Sequence, residues 1–189
     1  MTSTEIYQQS IDKQRILVVG VGSDLITSII EHTLRFHHRK FTCIKSGNPA
    51  SILHDSPVII LESKSQPIDY KHHIIILGNN GTTEELVELQ TLADATPKGG
   101  TIIYPKTHAG LNKIGSKERA DVQAIGYEDY KHEDVHGKTM LISSTKERFP
   151  VELNTDLDLQ CVSAAKELLK KIGISSDNFY RSISTYKPS

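Results

Sequence analysis

Four short runs of uninterrupted apolar residues constrain this chain most: Arg15-Ile-Leu-Val-Val-Gly20, Pro57-Val-Ile-Ile-Leu-Glu62, His73-Ile-Ile-Ile-Leu77 and Thr101-Ile-Ile-Tyr104. A strand with one wet face alternates apolar and polar residues. A run that is apolar throughout is covered on both faces, as in a parallel sheet. A further short strand is expected at Phe41 to Lys45. After the first run, Leu25, Ile26, Ile29, Ile30 and Leu34 recur at helical spacing. Ser23 or Asp24 is placed to cap that helix, which runs to about His37. Thr82 or Thr83 opens another helix, with Leu86, Val87, Leu89, Leu92 and Ala93 on one face and Pro97, Gly99 and Gly100 at its end. Strands that alternate with helices predict an α/β sheet flanked by helices on both sides.

Beyond about residue 119 the texture changes. Asp121 to Tyr127, Lys138 to Ser144 and Phe149 to Leu153 read as short strands, with a hairpin turn at Val135-His136-Gly137-Lys138. They predict an antiparallel extension of the sheet near residues 120–153. Leu157 to Ile172 reads as an amphipathic helix closed by Gly173, and a last helix starts near Ser176 or Asp177 and ends before Pro188. Residues 1–13 are polar and read as a loosely ordered segment, leaving 14–189 as one α/β domain.

Composition narrows the partners. The 189 residues carry 22 Lys plus Arg against 23 Asp plus Glu, a formal net charge of −1. That balance supplies no overall field for nucleic acid or an anionic membrane, so neither is expected as a partner. The apolar runs are far too short to span a bilayer, and the first fifteen residues hold no apolar leader. Cys43 and Cys161 stand far apart, in no metal or redox spacing. The expectation is a cytoplasmic protein with reduced cysteines.

In open α/β sheets, ligands bind at the carboxyl ends of the strands, which directs attention to the first turn, Gly20-Val-Gly-Ser-Asp-Leu25. A dinucleotide fingerprint would need a third glycine where Leu25 stands and a carboxylate after the second strand, where Ile44-Lys-Ser-Gly-Asn48 stands. A phosphate loop would need a lysine, and none occurs between Lys13 and Lys40. The simpler account is a tight glycine turn into a helix whose N-terminus is occupied by the Asp24 carboxylate. A second anion there is unfavourable by roughly 1–2 kcal/mol. No Gly-x-Ser-x-Gly elbow occurs, which argues against a hydrolase. His37-His-Arg-Lys40 reads as a solvated cationic helix end, and Lys64, Lys71, His72 and His73 as a modest basic rim.

The ordered set of segments resembles the central, ATP-binding domain of the Mur ligases and their folylpolyglutamate synthase relatives. The resemblance runs from about residue 14 to 188. It rests on the Gly20–Ile30 turn and helix, on Pro57-Val-Ile-Ile-Leu-Glu62-Ser63, and on Thr96-Pro-Lys-Gly-Gly-Thr-Ile-Ile-Tyr104. Ala120-Asp-Val122, the helix from Leu157 to Ala165, and the close from Lys170 to Tyr186 complete it. It implies a P-loop-like fold, ATP and magnesium as cofactors where the nucleotide site works, and an acid–amino acid ligation that belongs to peptidoglycan synthesis. It also implies Glu62 as a magnesium ligand and Asn79, beside Asn80, near the nucleotide. The departures fall on the chemistry. Ser23 and Asp24 stand where the family has its loop lysine and hydroxyl, no Asp-His pair follows Asn79, and Cys161 replaces the late helix's asparagine. Removing the cations that stabilise a transferring phosphoryl group removes most of that catalysis. The expectation is a degenerate, non-catalytic domain with a binding or assembly role, acting through a protein partner or self-association. The alternative is an ATP-binding component of an acid–amino acid ligase.

Overall fold

The computed structural model describes residues 2–45, 52, 54–64, 67–79 and 83–188. Its main sheet has six strands: β1 (Gln14–Val19), β2 (Thr42–Lys45), β3 (Val58–Ser63), β4 (Ile74–Leu77), β5 (Thr101–Pro105) and β6 (Gln123–Tyr127). Their order is β2-β3-β1-β4-β5-β6 and every pairing is parallel. From β1 the chain goes out to the edge at β2, returns to β3 between them, and then crosses β1 to β4 on the other side. The end of β1 is therefore where the winding reverses.

The apolar runs sort by a period of two. Ile16, Val18, Ile60, Ile74, Ile76 and Ile103 face one core, and Leu17, Val19, Ile59, Leu61, Ile75 and Ile102 face the other. The first core is completed by α2 (Ser23–Phe36), α5 (Asp156–Lys171) and α6 (Ser176–Ile183). The second is completed by α1 (Ser3–Gln8), α3 (Thr83–Asp94), α4 (Ala109–Gly115) and a 3-10 turn at Ile68–Tyr70. The expected mostly parallel sheet with helices on both faces is what forms.

Several expectations need correction. Residues 3–8, expected to be loose, form a helix with a Thr2–Glu5 capping box, and its Ile6 is buried against the sheet. Val87, assigned to the inner face of α3, is 64% exposed, because only Leu89, Leu92 and Ala93 of that helix are buried. Thr82, the other candidate opener of α3, lies outside the described residues. Helix α4 went unseen in the sequence. It is a single short element whose cap is the ring of His108, accepting from the Leu111 N–H at 3.2 Å.

The antiparallel part also differs in detail. β6 joins the main sheet parallel to β5. A separate three-stranded antiparallel sheet holds β7 (His132–Val135), β8 (Lys138–Ile142) and β9 (Arg148–Val151). Its first hairpin turns at His136 (φ 55°) and Gly137 (φ 75°), two left-handed residues that match the twist of the paired strands. The late helices begin at side-chain caps, Thr155 with Asp158 for α5 and Ser175 for α6, and Gly173 (φ 88°) turns the chain between them.

Candidate functional site

β1 runs into α2 through Gly20 (φ 94°) and Gly22 (φ 82°), left-handed values that suit glycine. The turn is pinned to the end of β4. The Gly78 N–H donates to the Val19 carbonyl at 2.7 Å. A Cβ at Gly78 would stand 2.3 Å from the Val21 carbonyl oxygen, and one at Gly20 would stand 3.1 Å from that of Gly78. Two strand ends are thus joined backbone to backbone. On the other side the space beside Gly22 is filled by Cys161, whose Sγ would lie 2.6 Å from an added Cβ. Burial, and then the charges of Asp158 and Asp24, push the Cys161 thiol up to about 12, which keeps it protonated and unreactive.

Gly22, not Ser23 or Asp24, is the N-cap of α2, with no side-chain cap of its own. The turn needs a positive φ at that position, and this excludes the usual capping side chains. Ser23 is buried, and its N–H donates back to the Gly20 carbonyl at 3.2 Å. Asp24 sits exposed in the first helical turn, where its Oδ1 accepts from the Leu25 N–H at 2.9 Å. The carboxylate expected at this helix N-terminus is present there and takes one of its donors.

A cavity of about 350 Å³ opens over the turn, lined by Gly20 to Asp24 together with Lys64 and Glu85. A smaller hollow of about 50 Å³ shares Gly20, Lys64 and Glu85 and adds Glu88. Among the described residues, the charged groups lining these two hollows are one ammonium, Lys64, and three carboxylates, Asp24, Glu85 and Glu88. Lys64 sits here, just past the carboxyl end of β3. The expected basic rim therefore does not assemble, since His72 is buried at the opposite, amino end of β4.

The remaining candidates are placed elsewhere. Glu62 is buried in β3, in register with Val18 and Lys45, on the sheet face shared with Ile60 and α2. It is not among the residues lining the cavity. Its neighbour Lys45 is held above the usual lysine value, mainly by its bond to Glu31 at 2.7 Å and less by the Glu62 charge. Asn79 is tied sideways. Its Nδ2 donates to Gln160 Oε1 at 2.8 Å, and Gln160 Nε2 donates to Asp129 Oδ1 at 2.7 Å. Asn80 lies outside the described residues. Among the described residues no group of three or more His, Cys, Asp or Glu gathers to hold a metal ion. Sequence reasoning missed Gly78, Gln160, Asp129, Lys64 and Glu85 as parts of this neighbourhood. Only Gly78, directly after an apolar run, left a signal there.

No protein-family model matches the sequence, and no curated protein matches it. Solved structures do. A crystal structure of MurF from Acinetobacter baumannii superposes with a TM-score of 0.80 at 11% identity, over 99% of this chain and 48% of that one. The UDP-N-acetylmuramate:L-alanyl-gamma-D-glutamyl-meso-diaminopimelate ligase from Neisseria meningitides gives 0.74 at 10% identity, over 99% of this chain and 69% of that one. The apo form of L. casei FPGS gives 0.67 at 10% identity, over 98% and 65%. This chain spans about half the length of MurF. The chain has the fold of the Mur ligase central domain.

Proposed function

We propose that this chain is a non-catalytic, degenerate Mur-ligase-like domain with a binding or assembly role, linked through that likeness to peptidoglycan synthesis. The observation that carries the reading is the charge around the Gly20–Asp24 turn. A magnesium triphosphate brings several negative charges to a helix N-terminus, and a working cradle meets them with a lysine and a free row of N–H groups. Here the Leu25 N–H is bonded to Asp24, and three carboxylates surround one ammonium. These residues do not fit a triphosphate. The partner of such a domain is a protein, or a second copy of the chain.

One observation favours a second reading, an ATP-binding component of an acid–amino acid ligase. Lys64 reaches the cavity from β3 and supplies a cation that the loop itself lacks. Calorimetric titration with magnesium–ATP separates the two. Ligand at 100 times its Kd raises stability by about 2.7 kcal/mol. The first reading expects no heat and no thermal shift into the millimolar range. A saturable shift that Lys64→Met abolishes establishes the second.

A further inference from the structure

A second cavity, of about 470 Å³, lies at the carboxyl ends of β5 and β6, walled by α5, α6 and the antiparallel sheet. Its size suits a small-molecule site. It is separate from the Gly20–Asp24 turn. Cys161 of α5 faces the turn, whereas Ser163 and Lys166 of the same helix line this cavity, roughly 140–200° around the axis.

At its wall, three buried or half-buried groups meet. Lys166 Nζ lies 2.5 Å from the Tyr130 hydroxyl and 2.9 Å from the Tyr180 hydroxyl, and the two hydroxyls lie 2.6 Å apart. The ammonium lies at the hydroxyl edge of both rings, 4.9 and 4.7 Å from their centroids. The Tyr180 ring is stacked on Phe149 at 4.2 Å, and the two tyrosines are 8% and 4% exposed. Their positions are held by packing before any ligand arrives. Burial pushes the Tyr130 phenol far above its usual range, so it stays a neutral donor.

Counting protons shows what the cluster lacks. An ammonium carries three N–H donors and two phenols carry one O–H each. The three mutual contacts use three of these five protons. One N–H and one O–H are left over beside the cavity, free for an acceptor from outside the cluster. Among the described residues no carboxylate pairs with Lys166. The acids that line the cavity are partly committed elsewhere, Glu128 to Lys106 and Asp129 to Gln160, leaving Glu167 on the rim. Lys131 and Lys146 add two further cations to the lining. A half-buried ammonium with spare donors and cations at the mouth favours an acceptor that carries negative charge.

We propose that this cavity binds a small oxyanion, a carboxylate or a phosphate, gripped by Lys166 Nζ and by the hydroxyl proton that the Tyr130–Tyr180 pair leaves free. The site is independent of the reading of the Gly20–Asp24 turn. The test titrates the whole chain with inorganic phosphate and, separately, with succinate, at ionic strength held constant with chloride. Thermal shift and the rate of Lys166 acetylation by an N-hydroxysuccinimide ester are followed together. A saturable thermal shift with one probe, together with slower acetylation of Lys166 but not of exposed Lys170, is expected. Which probe acts tells carboxylate from phosphate. Tyr180→Phe keeps the ring on Phe149 and should weaken the apparent affinity about tenfold or more, as should Lys166→Met. Where Lys166→Met fails to fold, the acetylation rate in the unmodified chain decides. No saturable response to either probe, or an unchanged affinity in folded Tyr180→Phe, overturns the proposal.

Discussion

The two ends of the six-stranded sheet use polar groups in opposite ways. At the amino end, cations are bound to the backbone. Arg15 is 6% exposed, and its guanidinium donates to the Lys71 carbonyl at 2.9 Å and the Ser10 carbonyl at 2.7 Å, with Tyr7 stacked 5.0 Å away. Lys13 Nζ donates to the His54 carbonyl at 2.9 Å, and buried His72 meets Thr96 Oγ1 at 3.0 Å. At the carboxyl end the backbone closes on itself through Gly20 and Gly78, and the charged side chains border cavities. One end is sealed by its charges; the other ranges them along its cavities. The difference separates residues that hold this fold from residues that give it chemistry.

The contrast predicts a descending series of effects. Arg15→Met should be the largest. It strands the buried Ser10 carbonyl and the half-buried Lys71 carbonyl and should cost about 3 kcal/mol or more, with hydrogen exchange of residues 3–8 rising to the solvent-exposed rate. Urea unfolding at neutral pH measures it, and a loss below about 1 kcal/mol would erase the claim that this end is sealed by its charge. Next comes acid. Burial, then the charges of His73 and Arg15, lower the His72 pKa from 6.5 to about 4. The unfolded chain therefore binds a proton near pH 6.5 that the folded one refuses until about pH 4. Stability is complete above that window, falls by about 3 kcal/mol as the pH drops through it, and loses nothing more below it. His72→Leu should flatten this part of the pH profile.

Smaller effects belong to the open end. Gly78→Ala should cost about 2–3 kcal/mol, since its Cβ meets the Val21 carbonyl rather than a yielding side chain. A melt of the purified variant reads this directly, and a neutral result breaks the interlock described for β1 and β4. Asp24→Asn should change stability by less than about 1 kcal/mol, because the residue is exposed and its amide oxygen still accepts from Leu25. A larger loss would make Asp24 a structural residue and blur the distinction between the two ends.

Much of the frame was legible before any coordinates. The apolar runs at 15–20, 57–62, 73–77 and 101–104 marked parallel strands, because only a sheet covered on both faces tolerates them. The capping glycine at 22 was misassigned to its neighbours because side-chain preference says nothing of the positive φ that the turn imposes. β6 was taken as antiparallel because Asp121-Val-Gln-Ala124 alternates polar and apolar residues, which an edge strand half open to water does even in a parallel ladder. Helix α1 escaped because one buried isoleucine anchors a polar segment, and the cavity at Tyr130, Lys166 and Tyr180 escaped because its members come from a loop and two helices. Charge assembled across such distances leaves no local trace. Lys64 shows the same limit: sequence spacing located no lysine in the first turn, yet folding carries one there from another strand.

The Gly20–Gly78 seam has a consequence for how such a molecule drifts over time. Neither glycine admits a side chain without moving main chain, while the neighbouring acid at 24 is open to water and nearly free to vary. Single mutational steps can therefore rewrite the electrical character of this corner and leave its scaffold intact. A lineage built on the seam can lose one trade or take up another while its architecture stays recognisable.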